Sequence, residues 1–197
     1  MKRFPEWRSL GWALLLLALF LAGPARASDP RNSVLLGYGQ SIPGFGDTTE
    51  RVGTLDLAYR YRHVLHPRMG KGWYEGSHEL WLELPATFIL SNRNDRDEYE
   101  LGMLGINFLF AWVFSGTARG SPYVILGGGP RYVFADIEGV GSRTPGNYQA
   151  GLGYRFPGPW NTVLTADLRY VHISNLGLAN PNVPLNSVAA FLGLSFW

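Results

Sequence analysis

The chain has 197 residues and a formal net charge of +2; 46% of the residues are hydrophobic, 14% aromatic and 16% charged, with 25 glycines, 13 prolines and no cysteine. This composition is too apolar for a disordered chain and too rich in glycine for a helical bundle. A sequence without cysteine also excludes a disulfide scaffold, a thiolate zinc site and a cysteine nucleophile.

The N-terminus has the three-part layout of a secretory signal peptide, which we assign to residues 1–27. Three basic residues within the first eight positions precede an apolar run of twelve residues, 11–22, and the small-x-small triplet 25–27 follows that run. A membrane-spanning helix needs about 20 apolar residues, so the pattern favours cleavage after Ala27 over an N-terminal anchor. Cleavage leaves 170 residues with 13 basic and 14 acidic side chains, a net charge of −1. This balance removes the argument for a nucleic-acid partner, and we expect none.

Residues 28–197 are predicted to form a single all-β domain. Apolar residues alternate with polar or small ones in steps of two, and no stretch keeps a helical apolar period over three turns. Turn-rich segments separate the alternating runs, and none of them is typical of an inter-domain linker. Eight strands are predicted: 33–40, 53–65, 78–90, the run after Glu100 that ends at 114, 121–135, 147–156, 162–174 and 186–197.

One face of these strands carries charges of both signs, and the other is made of Leu, Phe, Tyr and Trp. A soluble sandwich or barrel also alternates, so alternation alone leaves that alternative open. Four of the predicted strands have 12 or 13 residues, and in an exported chain such lengths match the tilted strands of an outer-membrane barrel, whose narrow lumen lets charges pair. In lipid every backbone group needs a partner, so eight such strands must close. The charged face comprises Asp56, Arg60, Arg62, Glu79, Glu83, Arg155, Asp167 and Arg169.

The C-terminal sequence also indicates an outer-membrane barrel. The last strand alternates Leu192, Leu194 and Phe196 and ends on Trp197. This ending resembles the C-terminal signal that bacterial outer-membrane barrels present to their assembly machinery. We therefore predict an eight-stranded antiparallel transmembrane β-barrel of the Gram-negative outer membrane, with the barrel assembly machinery and outer-membrane lipids as partners.

A cluster of chemically active side chains is predicted at the outer end of the seventh strand. With the N-terminus in the periplasm, that strand ends at the outer surface, and His172 and Ser174 share its lipid-facing phase. Asn186 has the same phase on the eighth strand, which a hairpin joins to the seventh. A serine becomes a nucleophile when a histidine takes its proton and a third group orients that histidine. The pattern predicts Ser174 as the nucleophile, His172 as general base and then acid, and Asn186 as the orienting group.

Donors for an oxyanion are available in the loop after this strand. Asn175, Asn182 and the backbone N–H of Gly177 are the candidates. The competing interpretation is that Ser, Asn, Gly and Pro after a strand are ordinary loop residues, and that a histidine at a membrane interface is a rim residue. The sequence has no HExxH or comparable spacing of metal ligands, and we expect no metal and no cofactor.

The same segment resembles a known family. Residues 172–177 read HISNLG and residues 180–182 read NPN, which is similar to the HxSNxG and PN pattern of the outer-membrane lipid A 3-O-deacylases. The resemblance implies an eight-stranded barrel with a Ser-His-Glu triad near the outer leaflet and lipid A of lipopolysaccharide as substrate. It implies Ser174 as nucleophile, His172 as base and Asn182 as an oxyanion donor.

Two positions depart from that family pattern. The acid of the family falls on Asn186, and Leu176 stands where a small residue is usual. An amide is compatible with the chemistry, since papain-type cysteine proteases use Asn in this position. Outer-membrane phospholipase A also resembles the pattern, with a Ser-His-Asn triad. It is a twelve-stranded barrel that uses calcium, and this chain is too short for it.

The sequence thus predicts a serine esterase that removes an ester-linked 3-O acyl chain from lipid A at the outer leaflet. Two alternatives stay open: a non-enzymatic barrel for adhesion, envelope stability or lipid binding, and a phospholipase that acts on phospholipids. The sequence does not determine the acyl-chain preference, calcium dependence, latency in the intact membrane or oligomeric state, a homodimer included.

Overall fold

The computed structural model describes residues 30–91, 100–135 and 140–197. The predicted signal peptide lies outside these ranges, so its cleavage stays a prediction. In these ranges no helix has the length and apolar character needed to cross a bilayer. Two single 3-10 turns occur, at Gly72–Tyr74 and Pro159–Asn161. The strands are β1 (Asn32–Ser41), β2 (Gly53–Met69), β3 (Gly76–Ser91), β4 (Glu100–Gly105), β5 (Asn107–Phe114), β6 (Ser121–Val133), β7 (Gly146–Pro157), β8 (Val163–Ser174) and β9 (Leu185–Phe196).

The strands close into an antiparallel ring. Apart from β4 and β5, neighbours in chain order pair with each other, and β1 also pairs with β9, from Asn32 opposite Phe196 to Ser41 opposite Ser187. β4 and β5 share one position of the ring, because both lie between β3 and β6. The ring therefore has eight positions, which confirms the predicted eight-stranded barrel.

The fourth predicted strand is interrupted at a single residue. Ile106 separates β4 from β5, yet Gly105 and Phe108 pair with β6 in one continuous register. The backbone N–H of Ile106 donates to the carbonyl of Pro130 at 3.1 Å, so the interruption leaves this group with a partner. The two short strands therefore cross the barrel wall as one.

The hairpin between β2 and β3 is longer than predicted. β2 continues to Met69 and β3 begins at Gly76, so the connection shrinks to a short segment around the first 3-10 turn. The register shifts twice between Val64 and Met69. An irregular ladder of this kind tolerates Pro67, which lacks the N–H that a regular ladder requires.

Side chains alternate between the outer surface of the barrel and its interior. On the outer surface Leu104, Phe110 and Leu192 are 42%, 53% and 69% exposed. The charged face predicted from the sequence is interior. Its buried members are Asp56, Arg60, Arg62, Glu79, Glu83, Asp167 and Arg169. An apolar outer wall around a polar interior is the arrangement of a barrel in lipid and the reverse of a soluble barrel.

A buried network of four charged side chains fills the middle of the barrel. Arg169 lies 2.8 Å from Glu83 and 2.7 Å from Asp167. Arg60 lies 2.7 Å from Glu83 and 3.3 Å from Asp167. Each charge has two partners of opposite sign, so burial leaves none of the four uncompensated. An apolar cluster that includes Ile173 lies behind the outer end of β8 and supports the wall there.

Candidate active site

His172 and Ser174 lie at the end of β8 that is remote from the chain termini. β1 begins and β9 ends at the opposite end of the barrel. Along β8, Val171 and Ile173 are buried in the barrel interior. Because side chains alternate along a strand, His172 and Ser174 belong to the outward face, as the sequence predicts.

Ser174, His172 and Asn186 form a continuous chain of hydrogen bonds. His172 Nε2 lies 2.9 Å from Ser174 Oγ, and His172 Nδ1 lies 2.7 Å from Asn186 Oδ1. The register explains this convergence, since Asn186 is the β9 residue directly opposite His172. Ser174 and Asn186 are only 7% and 4% exposed, while His172 is half-buried. The structure thus brings together the three side chains that the sequence predicts on one patch.

The hydrogen bonds of Asn186 define the tautomer of His172. Asn186 Nδ2 lies 2.9 Å from the carbonyl oxygen of Phe45, which accepts hydrogen bonds and cannot donate them. The amide nitrogen therefore faces Phe45, and the amide oxygen faces His172. Since that oxygen is an acceptor, the neutral imidazole carries its hydrogen on Nδ1, and Nε2 presents its lone pair to the hydroxyl of Ser174. A histidine in this tautomer can take the serine proton.

The segment between β1 and β2, which we call the β1–β2 loop (residues 42–52), encloses Asn186. Thr48 Oγ1 accepts hydrogen bonds from the backbone N–H and from Nδ2 of Asn186, both at 2.8 Å. The same hydroxyl donates to the carbonyl of Pro184 at 2.9 Å. Gly46, at a φ of +59°, approaches so closely that a Cβ there would lie 3.0 Å from Asn186 Nδ2. A glycine permits both this φ and this approach.

Two tyrosines border the site. Tyr148 lies opposite His172 on β7, and their rings stack with centroids 4.3 Å apart and an interplanar angle of 20°. Tyr170, on the same face of β8 as His172, donates its hydroxyl to Asn186 Oδ1 at 2.5 Å. The ring of Phe45 meets the ring of Tyr170 edge-on at 5.6 Å. The imidazole is thus packed against one ring, and a second ring anchors the amide that orients it.

The β8–β9 loop (residues 175–184) uses two of the predicted oxyanion donors for its own structure. Asn175 Oδ1 accepts the N–H of Gly177 at 3.0 Å. Asn175 Nδ2 lies 3.0 Å from three carbonyl oxygens, those of Val140, Ala179 and Pro181. These bonds occupy the amide hydrogens of Asn175 and the N–H of Gly177, so neither group is free for an oxyanion in this conformation.

Asn182 is the predicted donor that keeps its amide hydrogens available. Its Oδ1 accepts the backbone N–H of Asn175 at 3.0 Å. Within the ranges that the structure describes, Asn182 Nδ2 has no hydrogen-bond partner. The bond to Asn175 ties this amide to the residue that follows Ser174.

The arrangement fits nucleophilic acyl transfer. A hydroxyl within 3 Å of a correctly protonated imidazole is the minimal requirement for general-base activation of a serine. Among the described residues there is no group of three or more His, Cys, Asp or Glu side chains that could hold a metal ion.

The sequence reasoning missed four residues that contact the site: Phe45, Thr48, Tyr148 and Tyr170. The two tyrosines carry a usable signal, since their lipid-facing phase and the antiparallel register put them next to His172. Phe45 and Thr48 carry no such signal, because contacts between loops follow no periodicity.

Comparison with known proteins identifies a family and a fold. The sequence of residues 54–195 matches the family described as lipid A 3-O-deacylase (PagL). The structure is similar to the crystal structure of the outer membrane enzyme PagL, with a TM-score of 0.62 and 18% sequence identity. That match covers 83% of this chain and 99% of the other.

Two further solved structures are similar at lower TM-scores. Neisserial surface protein A matches with a TM-score of 0.49 and 16% identity, over 87% of this chain and 100% of that one. The outer membrane protein Ail of Yersinia pestis matches with a TM-score of 0.36 and 18% identity, over 84% and 99% of the two chains. No curated protein matches the sequence at a significant level.

Proposed function

Because the chain belongs to the lipid A 3-O-deacylase (PagL) family, whose members are ester hydrolases of the outer membrane, we propose that it hydrolyses the 3-O acyl ester of lipid A through Ser174, His172 and Asn186. Ser174 is the nucleophile, His172 the general base and then acid, and Asn186 the group that orients His172. The observation that carries this assignment is the hydrogen-bonded chain from Ser174 Oγ through the imidazole to Asn186 Oδ1, with distances of 2.9 and 2.7 Å.

In the first half of the reaction the acyl chain moves to the enzyme. Ser174 Oγ attacks the ester carbonyl carbon while its proton moves to His172 Nε2. The former carbonyl oxygen becomes an oxyanion, to which Asn182 Nδ2 donates. When the intermediate collapses, the 3-O oxygen of lipid A leaves as a hydroxyl with the proton from His172 Nε2. The acyl chain remains as an ester on Ser174 Oγ.

In the second half water releases the acyl chain. A water molecule gives one proton to His172 Nε2 and attacks the acyl-enzyme carbonyl. Collapse of the second intermediate returns that proton to Ser174 Oγ and frees the fatty acid. One water is consumed, and the products are a fatty acid and lipid A with a free 3-hydroxyl group.

The neutral third residue changes how the charge on His172 is stabilised. An imidazolium forms in both halves of the reaction, and the Asn186 amide orients it without supplying a negative charge. The π-face of Tyr148 stacks on the same ring. A cation over an aromatic face at an exposed site gains about 0.5–1 kcal/mol, so Tyr148 supplies part of the stabilisation that a carboxylate would give.

The location on the outer wall suits a substrate that stays in the membrane. Leu168 and Val188, on the same faces of β8 and β9 as the site, are 50% and 39% exposed on the outer wall. A lipid A molecule in the outer leaflet reaches Ser174 by lateral diffusion, with no need to leave the bilayer. The substrate ester therefore meets the nucleophile at the boundary between the apolar wall and the outer loops.

Mass spectrometry of lipids from cells that express the protein tests the proposal. We expect lipid A to lose one ester-linked acyl chain with the wild type and to stay intact with Ser174→Ala. Ser115→Ala, which changes an exposed serine at the other end of the barrel, is the matched control and should behave as the wild type.

Two results would contradict the proposal and indicate a different function. Intact lipid A together with free fatty acid and lysophospholipid, dependent on Ser174, would indicate a phospholipase. Unchanged lipid A and unchanged phospholipids in every strain would indicate a barrel without hydrolytic activity.

A further inference from the structure

We infer that the β1–β2 loop is part of the triad's positioning apparatus, with Thr48 as a positioning residue, and that it makes the third triad position specific for a carboxamide. The inference rests on the proposed function of Ser174, His172 and Asn186. It assigns a role to a loop on another hairpin, far away in the sequence from the segment 172–186.

The four hydrogen-bonding positions of the Asn186 carboxamide are all engaged. Oδ1 accepts from His172 Nδ1 at 2.7 Å and from the Tyr170 hydroxyl at 2.5 Å. Nδ2 donates to the Phe45 carbonyl at 2.9 Å and to Thr48 Oγ1 at 2.8 Å. An amide oxygen has two lone pairs and an amide nitrogen has two hydrogens. The surrounding groups therefore supply the number of donors and acceptors that a carboxamide needs.

The partners on the nitrogen side decide which way the amide points. The carbonyl of Phe45 can only accept a hydrogen bond, so the group that faces it must be a donor. The flipped amide, with Oδ1 facing this carbonyl, is therefore excluded. Thr48 is 2% exposed, and its hydroxyl is fixed by donation to the carbonyl of Pro184 and by the backbone N–H of Asn186. The orientation is therefore transmitted from the β1–β2 loop through Asn186 to the proton on His172 Nδ1.

A carboxylate does not match the hydrogen-bond partners that surround position 186. In Asn186→Asp an oxygen would replace the nitrogen that lies 2.9 Å from the Phe45 carbonyl, so that two acceptors would face each other with no hydrogen between them. The hydroxyl of Thr48 can turn to donate to a carboxylate, but a backbone carbonyl has no such option. A negative charge here is therefore expected to slow the reaction, although carboxylates occupy the third position in many serine hydrolases.

The test is a double-mutant cycle on the purified mature protein in detergent, with lipopolysaccharide as substrate and the released fatty acid as readout. We expect Thr48→Val, which keeps the shape and removes the hydroxyl, to lower kcat about ten- to a hundredfold with KM little changed, since small misplacements at a reacting centre cost this much. Thr48→Ser restores the hydroxyl and should recover most of the rate. Thr144→Val, in an exposed outer loop, is the control and should match the wild type.

The cycle separates positioning from stability. In an Asn186→Ala background Thr48→Val should have no further effect on kcat, because the residue through which it acts is gone. A Thr48→Val enzyme with the wild-type kcat, an equal loss in both backgrounds, or an Asn186→Asp enzyme as fast as the wild type would overturn the inference. Each of these results leaves the proposed function standing when Ser174→Ala is inactive. A wild type that releases no fatty acid contradicts the proposed function itself and the inference with it.

Discussion

The ring of Tyr148 lies nearly parallel to the imidazole of His172, with centroids 4.3 Å apart. The two residues are direct partners across β7 and β8, so the stacking follows from the register of the sheet. It places a π-face against the ring that becomes positively charged in the proposed reaction.

Tyr148→Leu is predicted to lower kcat about two- to fivefold, since a cation over an aromatic ring at an exposed site contributes about 0.5–1 kcal/mol. Tyr148→Phe keeps the ring and is expected to stay within about twofold of the wild type. Steady-state kinetics on lipopolysaccharide micelles measures both. If the Leu and Phe variants turn over equally fast, the ring has no electrostatic role.

Asn182→Asp is a sharp test of the oxyanion donor. The variant keeps an oxygen for the backbone N–H of Asn175 and removes the amide hydrogens. Loss of one oxyanion donor costs about 10²–10³ in kcat, and we expect a decrease of that size.

We expect the β8–β9 loop to keep its conformation in Asn182→Asp. Limited proteolysis of this loop measures whether it does. Unchanged cleavage with reduced kcat supports a role in catalysis. An Asn182→Asp enzyme with the wild-type kcat would leave the oxyanion without the donor assigned to it, whereas faster proteolysis would make the role of Asn182 structural.

The interior network is predicted to govern stability and to leave the chemistry unchanged. Glu83→Ala removes the buried carboxylate that lies 2.7 Å from Arg60 and 2.8 Å from Arg169. Breaking a buried ion pair on one side costs about 3–5 kcal/mol, so the free energy of unfolding in urea should fall by that amount.

Glu75→Ala is the matched control for this experiment. Glu75 pairs with Arg68, whose side chain is 78% exposed, and an exposed pair contributes about 0–1 kcal/mol. Equal destabilisation by the two variants would mean that the interior network contributes no more than a surface ion pair. The folded fraction of each variant should keep the wild-type kcat.

The barrel and the convergence of Ser174, His172 and Asn186 on one patch could be predicted because both depend on the parity of side chains along strands. Alternation assigns Arg169 to the interior and His172 to the outer wall, and the hairpin then brings Asn186 opposite His172. The parity of side chains does not predict the break between β4 and β5 at Ile106, because the register with β6 is the same on both sides of that residue.

The support around the triad could not be predicted for a different physical reason. Thr48 is 138 residues away from Asn186 in sequence, and the two loops that meet here have no repeating pattern. The roles of Asn175 and Asn182 also differ only through their hydrogen bonds. Both residues follow the serine in a polar loop, so residue type alone makes them equivalent candidates.

The most direct test of the account is to locate the nucleophile by covalent labelling. A fluorophosphonate with a long alkyl chain should react with the folded wild-type protein, and peptide mapping by mass spectrometry should find one adduct, on Ser174. The adduct should be absent from Ser174→Ala and should form far more slowly in His172→Ala, which lacks the base 2.9 Å from the hydroxyl. An adduct on another residue, or labelling of Ser174→Ala at the wild-type rate, would contradict the account.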